Sequence, residues 1–138
     1  MKDALIITIP SHPKYLSVVR TVTVKIGQLY EINETIIEDI KLAIDEACTN
    51  IIKHAYKGDT SKKIILKYKI SKKSFKVIIE DSGCKSNIDV MKGRSLEEVR
   101  PGGLGIHFIK RVFDTFEFYG KKKKGNRLKL IKYIKATV

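Results

Sequence analysis

Between Ile36 and Ala55, apolar residues recur at steps of three and four: Ile36, Ile40, Ala43, Ile44, Ala47, Ile51 and Ala55. A stripe of that period sustained over about six turns fits a helix lying along a core and little else. Asn33 is a good N-cap for it, Thr35-Ile36-Ile37-Glu38 fits a capping box, and Gly58-Asp59 ends it. The chain has 138 residues, one domain's worth. The remaining residues must therefore supply the surface that covers this helix.

They do so mainly as strands. Ala4–Ile9 reads as a short strand stopped by Pro10, and Ser11-His12-Pro13 opens a first helix with Ser11 or His12 near its cap. Leu16, Val19, Val22, Val24 and Ile26 give that helix an apolar face to about Gly27, and Gln28–Glu31 read as a linker. Lys63–Ile70 and Ser74–Asp81 form a hairpin across Ser71-Lys72-Lys73. Ser82–Gly103 is rich in turn residues, a third helix runs from Leu104 to about Asp114, and Thr115–Tyr119 pairs with Arg127–Ile134. The order predicts an α+β fold: a two-layer sandwich with helices on one face of a mixed, mostly antiparallel sheet.

With 43% hydrophobic and 31% charged residues, the chain is neither a disordered tail nor a membrane span. Two cysteines make no disulfide scaffold, and Met1–Ile7 lacks the apolar core of a signal peptide, so a cytoplasmic protein is expected. The net charge of +13 raises nucleic acid, an anionic membrane or an acidic protein as partners. Yet the lysines are dispersed, and the one dense run, Lys121–Lys124 between Gly120 and Gly125, reads as a solvated hairpin tip.

Three places hold polar residues that a plain core does not need. Glu46, Asn50 and His54 follow at steps of four on the long helix, on one slanted stripe beside small Ala43, Ala47 and Cys48. A carboxylate and an amide one turn apart suit a general base and a divalent-metal or phosphate contact, although a solvated helix face has the same spacing. Asp81 shares a strand face with Phe75, Val77 and Ile79, so its carboxylate points toward apolar surroundings where an adenine amino group is one candidate donor. Gly83 just beyond it permits close backbone approach, and an Asp-Ser-Gly turn explains the same residues. Arg100-Pro101-Gly102-Gly103-Leu104-Gly105 enters the third helix, where glycine amides and the helix dipole favour an anion, as in many flexible hinges.

Taken together and in this order, Glu46-x-x-x-Asn50, Asp81-x-Gly83 and Gly103-x-Gly105 resemble the N, G1 and G2 boxes of the GHKL ATPases. Over nearly the whole chain, the sequence is similar to the bacterial anti-sigma-factor serine/threonine kinases (RsbW-like). The likeness includes Ile7–Ser11, Asp45–Tyr56, Gly103–Ile109 and Gly125–Leu128. It implies the Bergerat ATP-binding fold as a single domain over residues 1–138, with an ATP lid at about 84–103 centred on Lys85–Val99. It also implies that Glu46 orients or deprotonates the attacking hydroxyl and that Asn50 holds Mg²⁺ against the ATP phosphates. Asp81 would accept from the adenine amino group, with Gly83 opening space beside the ring. Gly103, Leu104 and Gly105 would line the phosphates, Arg100 would reach the γ-phosphate from the lid, and His54 would support the site. Thr49 and Ser82 would help hold the helix and the adenine.

The implied partners are a STAS-domain anti-anti-sigma protein as phosphoacceptor and a sigma factor, with homodimerisation a family expectation. No membrane or direct nucleic-acid contact is expected. Two other readings stand beside it: a non-catalytic ATP-binding interaction switch, and a basic nucleic-acid-binding protein, for which no helix-turn-helix, zinc or aromatic-platform pattern is visible.

Overall fold

In chain order, the computed structural model, which describes residues 3–83, 101–120 and 125–135, begins with strand β1 (Leu5–Pro10). A single 3₁₀ turn at Pro13–Tyr15 leads into helix α1 (Leu16–Leu29). Helix α2 (Glu34–Asn50) follows and continues into a wider π-wound turn at Ile51–Ala55. The hairpin of β2 (Lys63–Ile70) and β3 (Ser74–Asp81) comes next. Helix α3 (Pro101–Val112), β4 (Thr115–Gly120) and β5 (Asn126–Tyr133) complete the described fold. The strands lie in the order β1-β2-β3-β5-β4, and all four pairings are antiparallel, so the sheet is not mixed. Among the described residues no helix is long and apolar enough to cross a membrane.

Alternation decides the layers. Ile64, Leu66 and Tyr68 on β2 and Phe75, Val77 and Ile79 on β3 are buried together with Leu128 and Leu130 on β5. The stripes of the helices join this face in one core that contains Val19, Ile40, Ile44 and Ile109. Tyr68 meets Phe75 edge-on at 6.1 Å, and its hydroxyl lies 3.0 Å from that of Thr23, a buried polar residue on α1. That pair satisfies two hydroxyls which burial would otherwise penalise by about 1–3 kcal/mol each.

Several boundaries differ from expectation for physical reasons. Helix α1 passes Gly27 and ends at Leu29, because Gly27 is a packing notch and not a stop: a Cβ there would lie 2.6 Å from Ile37 Cγ1. His12, not Ser11, caps the first turn, accepting from the Lys14 amide at 3.0 Å. Ser11 is buried and bridges instead to the segment after α2, donating to the Asp59 carbonyl at 2.6 Å and accepting from the Lys62 amide at 3.1 Å. On α2, Asn33 caps as expected, accepting from the Thr35 amide at 2.8 Å, while Ile37 is buried more deeply than Ile36. Helix α3 begins at Pro101, whose fixed φ and missing N–H suit a first turn, and Asp114 beyond its end donates its backbone amide to Ile131. The lysine run 121–124 lies outside the described residues.

Candidate functional site

The C-terminal third of α2 and the end of β3 converge on one small pocket, lined by Ala47, Asn50, Ile51, Ile79, Asp81, Phe118, Asn126 and Leu128. Its volume is about 20 Å³, room for roughly one water molecule, so a larger guest requires its walls to part. The lining is apolar apart from Asn50, Asp81 and Asn126, which suits a flat ring fixed by few polar contacts.

Asp81 ends β3 on the strand's buried side, as the alternation predicts, and is half-buried. Its Oδ1 accepts from the Gly83 amide at 2.9 Å and from Asn126 Nδ2 at 3.0 Å. Burial raises its pKa above the usual carboxylate range, and these hydrogen bonds oppose the rise without cancelling it. Asn126 is buried and sits opposite Asp81 in the β3–β5 register. The preceding Gly125 adopts φ +82°, and a Cβ there would lie 1.9 Å from the Asp81 carbonyl oxygen, so only glycine fits.

Asn50 is buried, and its Nδ2 has no hydrogen-bond partner among the described residues. A buried unmet donor costs about 1–3 kcal/mol. An unmet buried donor at a pocket wall calls for an explanation, and a ligand acceptor is one. One turn earlier, half-buried Glu46 reaches α3: a Cβ on Gly105 would lie 2.5 Å from Glu46 Oε2. Asp45 beside it pairs with Arg20 at 2.7 Å, which ties α2 to α1. Thr49 bonds back to the Asp45 carbonyl at 2.8 Å, serving the helix. Cys48 is buried and its thiol is pushed up to about 12 by burial first and the Asp45 charge second, which leaves it unreactive.

His54 does not join this group. It falls in the π-wound turn, where an extra residue per turn breaks the four-residue stripe, and it is exposed and absent from the pocket lining. The same turn places the Ala55 backbone against Gly83, where a Cβ would lie 2.6 Å from the Ala55 carbonyl oxygen. In this state Gly83 admits the helix end. Gly103 and Leu104 lie in the first four residues of α3, whose amides lack intrahelical acceptors, with Gly105 next. Arg100, Cys84 and most of the segment read as a lid lie outside the described residues.

Sequence reasoning missed three contributors. Asn126 buttresses Asp81. Phe118 walls the pocket from β4, which its alternation with Phe116 would have suggested. Tyr56 holds the loop after Asp81: its hydroxyl donates to the Lys63 carbonyl at 2.5 Å, accepts from the Ser82 amide at 2.8 Å and lies 3.3 Å from Ser82 Oγ. Nothing in the local sequence marks a tyrosine for that task.

Comparison with known proteins agrees with this geometry. The model of the histidine kinase-like ATPase domain family matches residues 9–132. Serine-protein kinase RsbW of Listeria innocua is 31% identical over 127 residues, covering 86% of this chain and 81% of the relative. The Staphylococcus aureus RsbW is 30% identical, covering 97% and 89%, and the Bacillus subtilis RsbW is 27% identical, covering 81% and 75%. The crystal structure of the RsbU and RsbW domains of a Mycobacterium tuberculosis protein superposes with a TM-score of 0.70 at 16% identity. That match covers 96% of this chain and 32% of the other, a likeness of fold.

Proposed function

The chain belongs to the histidine kinase-like ATPase domain family and, within it, to the RsbW serine-protein kinases, and from that premise we propose that it is an ATP-dependent protein serine/threonine kinase that acts as an anti-sigma factor in a partner switch. Its acceptor would be a STAS-domain anti-anti-sigma protein and its other client a sigma factor. The observation that carries the reading is the buried Asn50 amide, unmet among the described residues, in one pocket with Asp81 and one turn from Glu46.

In this reading the apolar walls Ile79, Phe118 and Leu128 sandwich the adenine, and Asp81 accepts from its exocyclic amine while Asn126 and Gly83 hold the carboxylate still. Asn50 and the amides of Gly103, Leu104 and Gly105 face the phosphates, and Arg100 completes the γ-phosphate contacts from a lid at about 84–103. His54, exposed and outside the pocket lining, has no part in this reading. Among the described residues no cluster of three or more His, Cys, Asp or Glu forms a metal cage. That suits Mg²⁺, which is commonly held by one or two protein oxygens plus phosphates. Asn50 Oδ1 is the oxygen that would hold it, and its charge would neutralise the triphosphate.

Glu46 then orients the acceptor hydroxyl and takes its proton as the hydroxyl oxygen bonds to the γ-phosphorus and the bond to ADP breaks. Two measurements test this. Calorimetric titration of Mg·ATP should show binding to the wild type and none to Asp81→Asn. Glu46→Gln should bind Mg·ATP like the wild type yet transfer no phosphate to a STAS-domain acceptor; unchanged transfer would remove Glu46 from its role.

A further inference from the structure

The helices cover one face of the sheet; the other face carries its own pattern. Outward positions form cross-strand rows: Lys69 opposite Lys76, Lys67 opposite Ile78 opposite Lys129 opposite Glu117, and Glu80 opposite Arg127. Five cations thus share three central strands and β4 with two carboxylates. Lys67 pairs with Glu80 at 2.5 Å and Lys129 with Glu117 at 3.8 Å. Among the described residues, Lys69, Lys76 and Arg127 have no carboxylate at ion-pair distance. Like charges directly opposite across a ladder destabilise it, so Lys69 and Lys76 are placed at a cost to the fold. The Lys76 amine is accordingly held below the usual lysine range, by partial burial first and then by Lys129, Lys69 and Arg127.

We propose that this outer sheet face is a docking surface for an acidic protein segment, engaged through Lys69, Lys76, Lys129 and Arg127 around Ile78. Ile78 at the centre is 2% exposed, already covered within the row of Lys67 and Lys129, so a partner would meet the aliphatic stems of those lysines and not Ile78 itself. Other occupants fit less well. A second copy of the chain would bring cation against cation. A single-stranded nucleic acid needs a series of open aromatic faces; of the two outward tyrosines, Tyr119 lies under the Arg127 guanidinium at 5.9 Å with its hydroxyl bound to Glu117 at 2.7 Å, and Tyr133 at the end of β5 is one ring and not a series. Glu80 and Glu117 would also repel a phosphate backbone. The pocket lies between the end of α2 and the inward side chains of β3, β4 and β5, and shares no lining residue with this outer face.

The experiment uses the full chain, poly-L-glutamate and a single-stranded oligothymidylate as probes, and fluorescence anisotropy at two salt concentrations. Lys69→Glu/Lys76→Glu should weaken poly-L-glutamate binding about tenfold or more. Lys14→Glu/Lys25→Glu, with the same change in net charge on the helix layer, should weaken it less than about twofold. Mg·ATP affinity should not change in either. Equal losses in the two variants, no binding of poly-L-glutamate by the wild type, or tighter oligothymidylate binding lost with Lys69→Glu/Lys76→Glu would each overturn the proposal. Should the reversal fail to fold, Lys69→Gln/Lys76→Gln makes the same comparison. Lys76→Glu alone removes the opposed like charges, so its melting temperature should rise by roughly 1–4 °C while affinity for the acidic probe falls. A fall in both would mark Lys76 as structural and overturn its assignment.

Discussion

Asp81 is held by the fold and penalised by it at once. Its carboxylate accepts from Gly83 and Asn126, yet burial leaves its pKa above the ordinary range. A carboxylate raised in the folded state binds more protons there than in the unfolded chain between the two pKa values. Stability therefore falls as pH rises from the unfolded pKa of about 3.9 through the folded value, and the penalty persists above it. Asp81→Asn keeps an acceptor oxygen for both donors and removes the charge. The ligand-free variant should melt at or above the wild-type temperature at pH 7, with the advantage vanishing in acid below the usual carboxylate range; a lower melting temperature at pH 7 would mean that the charge stabilises the site. Gly105 makes the complementary case for catalysis. A methyl group there meets Glu46 Oε2 at 2.5 Å and forces that carboxylate aside. Because a 1 Å misplacement can cost about 10²-fold in rate, Gly105→Ala should lower kcat by roughly that factor while Mg·ATP affinity changes less than about threefold. Single-turnover phosphotransfer beside calorimetry separates the two effects.

Among the elements, the π-wound turn at Ile51–Ala55 does the most to shape the site. It throws His54 outward, brings the Ala55 backbone against Gly83 and delivers Tyr56 to the loop behind Asp81. Tyr56→Phe removes the hydroxyl's hydrogen bonds to the Lys63 carbonyl and the Ser82 amide, each worth about 0.5–1.5 kcal/mol, together with its longer 3.3 Å contact to Ser82 Oγ. Urea denaturation should show a loss of about 1–2 kcal/mol at unchanged m-value, accompanied by weaker Mg·ATP binding; weaker stability with unaltered affinity would confine Tyr56 to the scaffold. This element also shows where sequence reading reaches and where it stops. The bounds of β2 and β3 are legible because two runs of alternation flank a short polar turn, and the same alternation puts Asp81 on the pocket side. The four-residue stripe brings Glu46 and Asn50 to one region because α2 is regular that far. It fails at His54, since a π turn has no composition signal. Gly27 misleads for a related reason: a glycine that ends a helix and one that notches it against Ile37 look alike until the partner is known. Asn126 is invisible as the support of Asp81, because the pair is made by strand register across 45 residues.

At the scale of the whole molecule, α2, β3, β4 and β5 contribute both to the single core and to the pocket walls. Filling the pocket is therefore linked to global unfolding: a ligand that binds only the folded chain stabilises it by RT ln(1 + [L]/Kd), about 2.7 kcal/mol at a hundredfold excess over Kd. For a domain between the size classes of about 100 and 150 residues, 1 kcal/mol corresponds to roughly 3–5 °C. Saturating Mg·ATP should accordingly raise the wild-type melting temperature by roughly 8–13 °C. In the proposed reading, part of that rise would come from relief of the unmet Asn50 donor and the confined Asp81 charge, both of which penalise the fold. Asp81→Asn should start at or above the wild type and gain almost nothing from the nucleotide, so that the two melting curves cross as Mg·ATP is added. Differential scanning calorimetry over an ATP series reads this directly. Parallel shifts in both proteins would remove Asp81 from nucleotide recognition, and no shift in the wild type would remove ATP from this pocket.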